Sequence, residues 1–422
     1  MIAFTEARSQ IIGACKKSSS ERLPVTQVLG RVLAEDLYSP ANLPPFDNSA
    51  MDGFALRSKG LKITKDTQFC VTGALAAGDD ARSTFADGAC EIMTGAPVPV
   101  GFDAIVPIEN VIVLEKSSVG RPLRIQLQAE VHPNAHIRYR GEDVSAGSRI
   151  LIAGSPIGAS ERMLLTGLGI ADVAVQQQPR IALITTGREL VDDPYQELRP
   201  GQIRNSNGPF LADRIRQCGA QLCLHESIAD DTDEFLKTLD RGVQSCADII
   251  ISTGAVSMGR YDFVPDALRS IGATIVFHKV AMRPGKPLLF ARLPNGALYF
   301  GLPGNPISSA VGFRFFVQLA IETMQGLQPE QAIALPLAHS VDKKPGFTLL
   351  QKARVDVDQG GQISVSLLNG QESFRIQPLL QSNAWALLPE HLSALAQNVL
   401  VDVYGLQTRG LTLSNQENFD EN

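Results

Sequence analysis

The chain has 422 residues, a formal net charge of −6, 44% hydrophobic residues, 36 glycines and 25 prolines. Against roughly 100–200 residues per domain, this length predicts two to four domains. The acidic balance excludes a dedicated nucleic-acid binder, whose footprint is basic, and the hydrophobic fraction excludes general disorder.

The opening stretch MIAFTEARSQIIGACKK lacks the basic head and apolar block of a secretory signal. No apolar run approaches the roughly 18–20 residues that span a bilayer. Cys15, Cys70, Cys90, Cys218, Cys223 and Cys246 show no CxxC or zinc spacing and read as reduced. A soluble cytoplasmic protein without membrane contact is expected. Ala7, Ile11, Ile12, Ala14 and Cys15 recur at helical spacing, which predicts a helix near 5–18 with Thr5 as its cap. The segment SPANLPPFDNSAMDGFAL (39–56) is too rich in turn formers for a long element. From about Lys62 to Val131, short β-rich runs alternate with Gly, Pro and Asp, a small mostly-β domain. His132 and His136 have metal-like spacing, but Pro133 forbids the helix that would align them, so they read as structural.

From Arg180 to Gly326, apolar runs such as IALIT, ADIIIST and ALYFGL alternate with helical patterns. Leu211, Ile215 and Cys218 mark one helix, ended by Gly219; Phe235, Leu236, Leu239 and Val243 mark a second. A third runs from about Pro306 to Met324, with Asn305 as N-cap and Gly326 past the end. The pattern predicts an α/β domain with a largely parallel sheet buried on both faces. PNG (294–296) predicts a hairpin and hence one antiparallel edge. Short strands return after Gln328 as a terminal β domain, followed by a polar tail beyond Arg409.

In open α/β sheets, ligands bind outside the carboxyl ends of the strands. Five loops follow apolar runs there: TTGREL (185–190), ADDTDE (229–234), STGAVSMGRYD (252–262), RPGKP (283–287) and LPGNP (302–306). STGAVSMG offers N–H groups and hydroxyls, Ser257 among them, with little bulk, which suits an oxyanion. Lys279, Arg283 and Lys286 cluster three cations in an acidic chain, and Pro284 and Pro287 stiffen the segment around Lys286. The carboxylates Glu189, Asp230, Asp231 and Asp262 could share Mg²⁺ with a phosphate, although Asp231 or Asp233 could simply cap the second helix. Gly187 in the first loop and Asn305 in the last belong to the same candidate set. This reading reaches a phosphate-bearing small molecule, without its reaction.

FDNSAMDGFA (46–55), MTGAPVP (93–99), RYRGEDVSAG (138–147), TTGREL, STGAVSMGRYD, RPGKP and GLPGNP (301–306) follow one another in this order. From about residue 5 to 405 the chain resembles the molybdopterin molybdenumtransferases, the bacterial MoeA-type proteins related to the C-terminal region of gephyrin. The resemblance implies a multidomain α/β plus β homodimer. Its parts would be an extended linker domain (1–45 and 138–176), an inserted mostly-β domain (46–137), an α/β molybdopterin-binding domain (177–328), a C-terminal β-barrel-like domain (329–410) and a flexible tail (411–422). It implies insertion of molybdate into adenylated molybdopterin with Mg²⁺-dependent release of AMP. Implied partners are the pterin-adenylating protein and apo-molybdoenzymes. Carried over by motif, Asp52, Asp143, Glu189 and Asp262 are implied catalytic residues, with Glu189 and Asp262 as metal ligands. Thr94, Asp231 (or Asp230), Lys279, Lys286, Pro303 and Pro306 are implied substrate contacts, in a cleft completed by the second subunit. Arg188, Ala255, Arg260 and Phe347 depart from the family pattern, and Ser382 and Asn383 resemble its later polar motif only weakly. The departures leave a non-catalytic cofactor-binding or chaperone module as the alternative.

Overall fold

The computed structural model describes residues 1–80, 85–255, 263–407 and 410. Its helices are α1 (Phe4–Ala14), α2 (Ala159–Gly167), α3 (Asn207–Gln217), α4 (Thr232–Gln244), α5 (Val264–Ser270), α6 (Pro306–Gly312), α7 (Gln318–Met324) and α8 (Gln377–Gln381). A π-helical segment, Phe313–Val317, joins α6 to α7.

The central sheet comprises β1 (Arg180–Thr186), β2 (Gln221–Ile228), β3 (Ile249–Thr253), β4 (Thr274–His278), β5 (Leu289–Arg292) and β6 (Leu298–Leu302), in the order β2-β1-β3-β6-β5-β4. The first four in that order are parallel, and β5 runs against both of its neighbours. The hairpin at 294–296 therefore forms as expected, but its antiparallel strand is not the edge. β4 lies outside it, because Phe277 and Ile275 pack into the cores on opposite faces. Alternation along the strands feeds those two cores. Ile181, Leu183, Ile249, Ile251 and Phe290 join one with α1, α3 and the 306–324 helix; Ala182, Ile184, Ile250, Leu289 and Ala291 join the other with α4 and α5. Such double-sided burial is the reason these strands read as continuous apolar runs.

The first helix differs from expectation in place and in cap. Phe4, Ala7 and Ile11 are buried in the α/β core rather than with the linker residues. Phe4 meets Phe315 and Phe316 edge-on at 5.9 and 5.4 Å. Ala3 occupies the cap position without a side-chain bond, since Ile2 bridges to Val280 and fixes where the helix begins, leaving Thr5 inside it.

Three further parts of the chain carry cores of their own. Ser20–Pro24 pairs with Asp172–Gln176 and Leu37–Tyr38 with Arg149–Leu151, around Val28, Leu33, Leu165 and Val175. A six-stranded sheet spans 53–127, with Gly53–Leu56 buried between Ala89–Ile92 and Ala104–Pro107. In the C-terminal part, Ile363–Leu367, Thr348–Val357, Ala384–Leu388, Leu400–Gly405 and Ile333–Pro336 pair in succession, and a bridge from Leu337 to Val365 closes the ring. Met282–Arg283 pairs with Thr348–Leu349, joining this part to the α/β domain.

Candidate active site

Because β1, β2, β3 and β6 are parallel and β5 is reversed, all five candidate loops emerge on one rim. A cleft of about 650 Å³ lies there. Glu189, Asp230, Thr253, Gly254, Pro303, Asn305 and Pro306 line it.

Local chemistry explains several of these positions. Gly254 has φ +92°, and a Cβ there would stand 2.7 Å from the Thr186 carbonyl oxygen, so only glycine lets β3 leave the sheet beside β1. Gly187 is buried, with φ +153°, and the Glu189 carboxylate closes over it so that a Cβ would meet Oε1 at 2.9 Å. Asn305 occupies the N-cap position of α6 without a side-chain capping bond. The Ile307 N–H is bonded instead to the Ser373 carbonyl at 3.0 Å, and the Asn305 side chain stays on the cleft wall.

The structure separates the two neighbouring aspartates. Asp231 is the N-cap of α4 and accepts the Glu234 N–H at 2.9 Å. Asp230, not Asp231, lines the cleft. Arg283 and Lys286 stand beside the cleft residue Pro287 and share the Phe347 ring, at 4.3 and 5.6 Å from its centroid. Such contacts hold the two cations without neutralising them. Lys279 is half-buried at φ +77°, its N–H bonded to the Leu288 carbonyl at 2.9 Å. Ser257, Arg260 and Asp262 lie outside the described residues.

A second polar locus forms where three segments of the N-terminal half meet. Gly53 is pressed against the next strand so closely that a Cβ would lie 2.0 Å from the Val106 carbonyl oxygen, which fixes the AMDG turn. The preceding Asp52 accepts both the N–H and the hydroxyl of Thr94, at 2.7 and 2.9 Å. Those bonds, the backbone one first, hold the Asp52 carboxyl below the usual carboxylate range, so its ionised form prevails at neutral pH. The tie is lost as pH falls through that depressed value. Ile137–Arg138 pairs with Asn48–Ser49, and the exposed Asp143 follows in the adjoining turn, its N–H on the Leu43 carbonyl at 3.0 Å. Asp52, Thr94 and Asp143 do not line the rim cleft.

Asn205 and Phe374 on the cleft wall were not singled out by sequence reasoning. The Asn205 amide donates to Asp192 at 2.8 Å, Thr185 at 3.0 Å and Ser227 at 3.1 Å, and its oxygen accepts the Gly208 N–H at 2.9 Å. The only signal was the turn-forming run NSNG at 205–208 before a helix. Phe374 comes from the C-terminal part and had no local signal.

Carboxylates and a charged ligand suit a hard cation. Among the described residues no group of three or more His, Cys, Asp or Glu side chains could hold a metal by itself. Glu189 and Asp230 on one cleft nevertheless fit Mg²⁺, which takes one or two carboxylates and completes its shell with water and ligand phosphates.

Comparison with known proteins places the cleft in a family context. Residues 2–169 match the MoeA N-terminal region (domain I and II), 182–323 the "Probable molybdopterin binding domain" and 334–406 the MoeA C-terminal region (domain IV). A molybdopterin molybdenumtransferase of Synechococcus elongatus is 36% identical over 92% of this chain and 94% of the relative. One of Staphylococcus epidermidis is 31% identical over 95% of each. A molybdopterin biosynthesis MoeA protein from Pyrococcus horikoshii superposes with a TM-score of 0.78 at 25% identity, covering 97% of this chain and all of that one. With relatives above 30% identity matched almost end to end, and a rim cleft bordered by the motifs that carried the resemblance, the chain belongs to the molybdopterin molybdenumtransferase family.

Proposed function

We propose that this protein is a molybdopterin molybdenumtransferase of molybdenum cofactor biosynthesis, inserting molybdate into adenylated molybdopterin with release of AMP. The observation that carries the reading is the rim cleft. It joins glycine-shaped loops, two carboxylates and a neighbouring pair of cations within the segment matched by the molybdopterin-binding description. Gly187 and Gly254 let the backbone approach the phosphates, and Pro303, Asn305 and Pro306 shape the opposite wall. Arg283 and Lys286, with Lys279 near them, offset the ligand's charge. Glu189 and Asp230 would hold Mg²⁺, which when bound neutralises charge developing on the phosphates. Asp262 and Ser257 keep their proposed roles as metal ligand and phosphate contact. Arg188 is exposed and does not line the cleft, so that departure leaves the cleft wall unchanged.

Asp52, Thr94 and Asp143 are proposed to complete the site from a second copy of the chain in a homodimer. The pterin-adenylating protein and apo-molybdoenzymes are its proposed partners before and after the reaction. No helix among the described residues is long and apolar enough to cross a membrane, and a cytoplasmic location is proposed.

AMP release from adenylated molybdopterin, with and without molybdate and Mg²⁺, tests the reading. Turnover is expected only with all three, and Lys286→Ala should weaken substrate binding and flatten its salt dependence. Stoichiometric binding without AMP release would instead establish a non-catalytic carrier.

A further inference from the structure

Phe374 lines the rim cleft while 64% of its surface is open, on the loop between Ile363–Leu367 and α8. An isolated exposed phenylalanine needs no explanation, but this one is held in place from two sides. Lys352, fully buried in the strand Thr348–Val357, donates from Nζ to the carbonyls of Gly370 at 2.6 Å and Arg375 at 3.0 Å. The Gln371 side chain accepts the Lys352 N–H at 2.9 Å and donates back to the Lys352 carbonyl at 2.8 Å. On the other side, the Ser373 carbonyl accepts the Ile307 N–H at 3.0 Å, tying the loop to the first turn of α6, just after the cleft residues Asn305 and Pro306. Arg375 stands 5.9 Å from the centroid of the Phe374 ring. Burying an ammonium is costly, and here its donors serve an exposed loop. What the arrangement secures is the position of one ring on the cleft wall.

We infer that Phe374 is a stacking platform for a planar nitrogen heterocycle of the ligand, with Lys352 and Gln371 as the positioning residues that hold it. The inference rests on the reading of the cleft as a site for a phosphate-bearing pterin or nucleotide. Stacking on Phe374 and phosphate contact at the glycine loops are separate contacts on one cavity, so together they orient a ligand that carries both groups. The platform is sequence-tolerant chemistry: either the pterin or the adenine of an adenylated pterin has the required π-face.

Calorimetric titration of the full chain with three probes tests this: AMP, neopterin phosphate and ribose 5-phosphate, the last having no heterocycle. Phe374→Ala is expected to weaken AMP, neopterin phosphate or both about tenfold, the size of one lost aromatic stack. Ribose 5-phosphate should bind as to the wild type, and Phe374→Tyr should restore the ring-bearing probes. Whichever of the two probes responds identifies the ring that stacks. Lys352→Met should reproduce the loss, and Lys352→Met with Phe374→Ala should lose no more than Phe374→Ala alone. Gln371→Ala, which cuts the clamp from the loop side, replaces Lys352→Met if that variant does not fold. Equal loss for ribose 5-phosphate, or no loss for either ring-bearing probe, would overturn the platform. Additive losses in the double variant would overturn the positioning role. A wild-type chain that binds none of the three probes would overturn the reading of the cleft itself, and the platform with it.

Discussion

Replacing Asn205 by Asp keeps the shape of a cleft residue and reverses one hydrogen bond, so its consequence can be worked out. The capping oxygen toward the Gly208 N–H can stay, 2.9 Å away. The amide nitrogen becomes an oxygen 2.8 Å from the Asp192 carboxylate. Thr185 and Ser227 can turn their hydroxyls to donate, but Asp192 cannot. Two full charges at that separation repel by about 6 kcal/mol at an effective dielectric near 20. Binding one shared proton avoids most of this, so the cost is capped by the work of holding it. That work is about 1.4 kcal/mol for each pH unit above an ordinary aspartate value of about 3.9, or about 4 kcal/mol near pH 7. The introduced group therefore has a raised value in the folded state. Asn205→Asp should match the wild type near about pH 4, fall behind as pH rises above that ordinary value, and level off once pH passes the raised one. Urea unfolding across pH, read as the difference from wild type and assigned to the 180–186 strand by amide exchange, measures it. A difference that does not change with pH would refute the reasoning, because it would mean that the exposed Asp192 side chain swings away from position 205. Asn205→Ala serves as the control: it loses the cap, about 1 kcal/mol, and the amide's other bonds, but brings no second carboxylate to Asp192.

Three further substitutions test the framework, two at the cleft and one in the core behind it. Gly254→Ala combines a left-handed backbone at φ +92° with a Cβ 2.7 Å from the Thr186 carbonyl oxygen, so a loss of about 2–4 kcal/mol is expected in urea melts. Ala255→Gly relieves a left-handed alanine at φ +48° and should gain up to about 1 kcal/mol; a gain at Gly254→Ala or a loss at Ala255→Gly would contradict the account of that position. Glu330→Ala removes one partner of the Arg314 guanidinium, which bonds Glu330 at 2.6 Å with only 6% of the arginine side chain exposed while its Nε stays on the Gly405 carbonyl, and should cost about 1.5–3 kcal/mol. The sole tryptophan, Trp385, packs edge-on to Phe315 at 6.4 Å and reports that loss by fluorescence; a shift under about 1 kcal/mol would show that water reaches the pair.

The α/β domain was readable because its signals are local and physical. The run IALIT could become a strand buried on both faces, and Gly219 at φ +71° and Gly326 at φ +76° end their helices where the periodicity stops. The rim loops followed from topology, since a parallel sheet sends its loops to one side. Errors arose where a distant partner overrode a local preference. Thr5 is a good capping residue, yet Ile2 bridging to Val280 sets the helix start. The PNG hairpin correctly gives an antiparallel strand, but no pattern within it shows that β4 will pair outside it. Asp230 and Asp231 are equivalent in a one-dimensional reading, and only the start of α4 assigns one to the helix and the other to the cleft.

The residues that escaped the sequence reading share one property: each acts through contacts made far along the chain. Asn205 bonds to a strand residue twenty positions earlier and another twenty-two later, while Phe374 reaches a helix that begins at Pro306. Their residue types are ordinary, and only the fold makes them specific. Asp52 is the converse case. Its motif is conspicuous, its Thr94 partner is forty-two residues away, and the pair sits on a domain with its own core, off the rim cleft. A motif thus marks where a constraint acts on the backbone, as Gly53 does against Val106, more directly than it marks which cavity the side chain serves. The same logic applies to Lys286. Its charge was evident from composition, but its neighbours were not: Phe347, from the C-terminal part, lies beneath both it and Arg283.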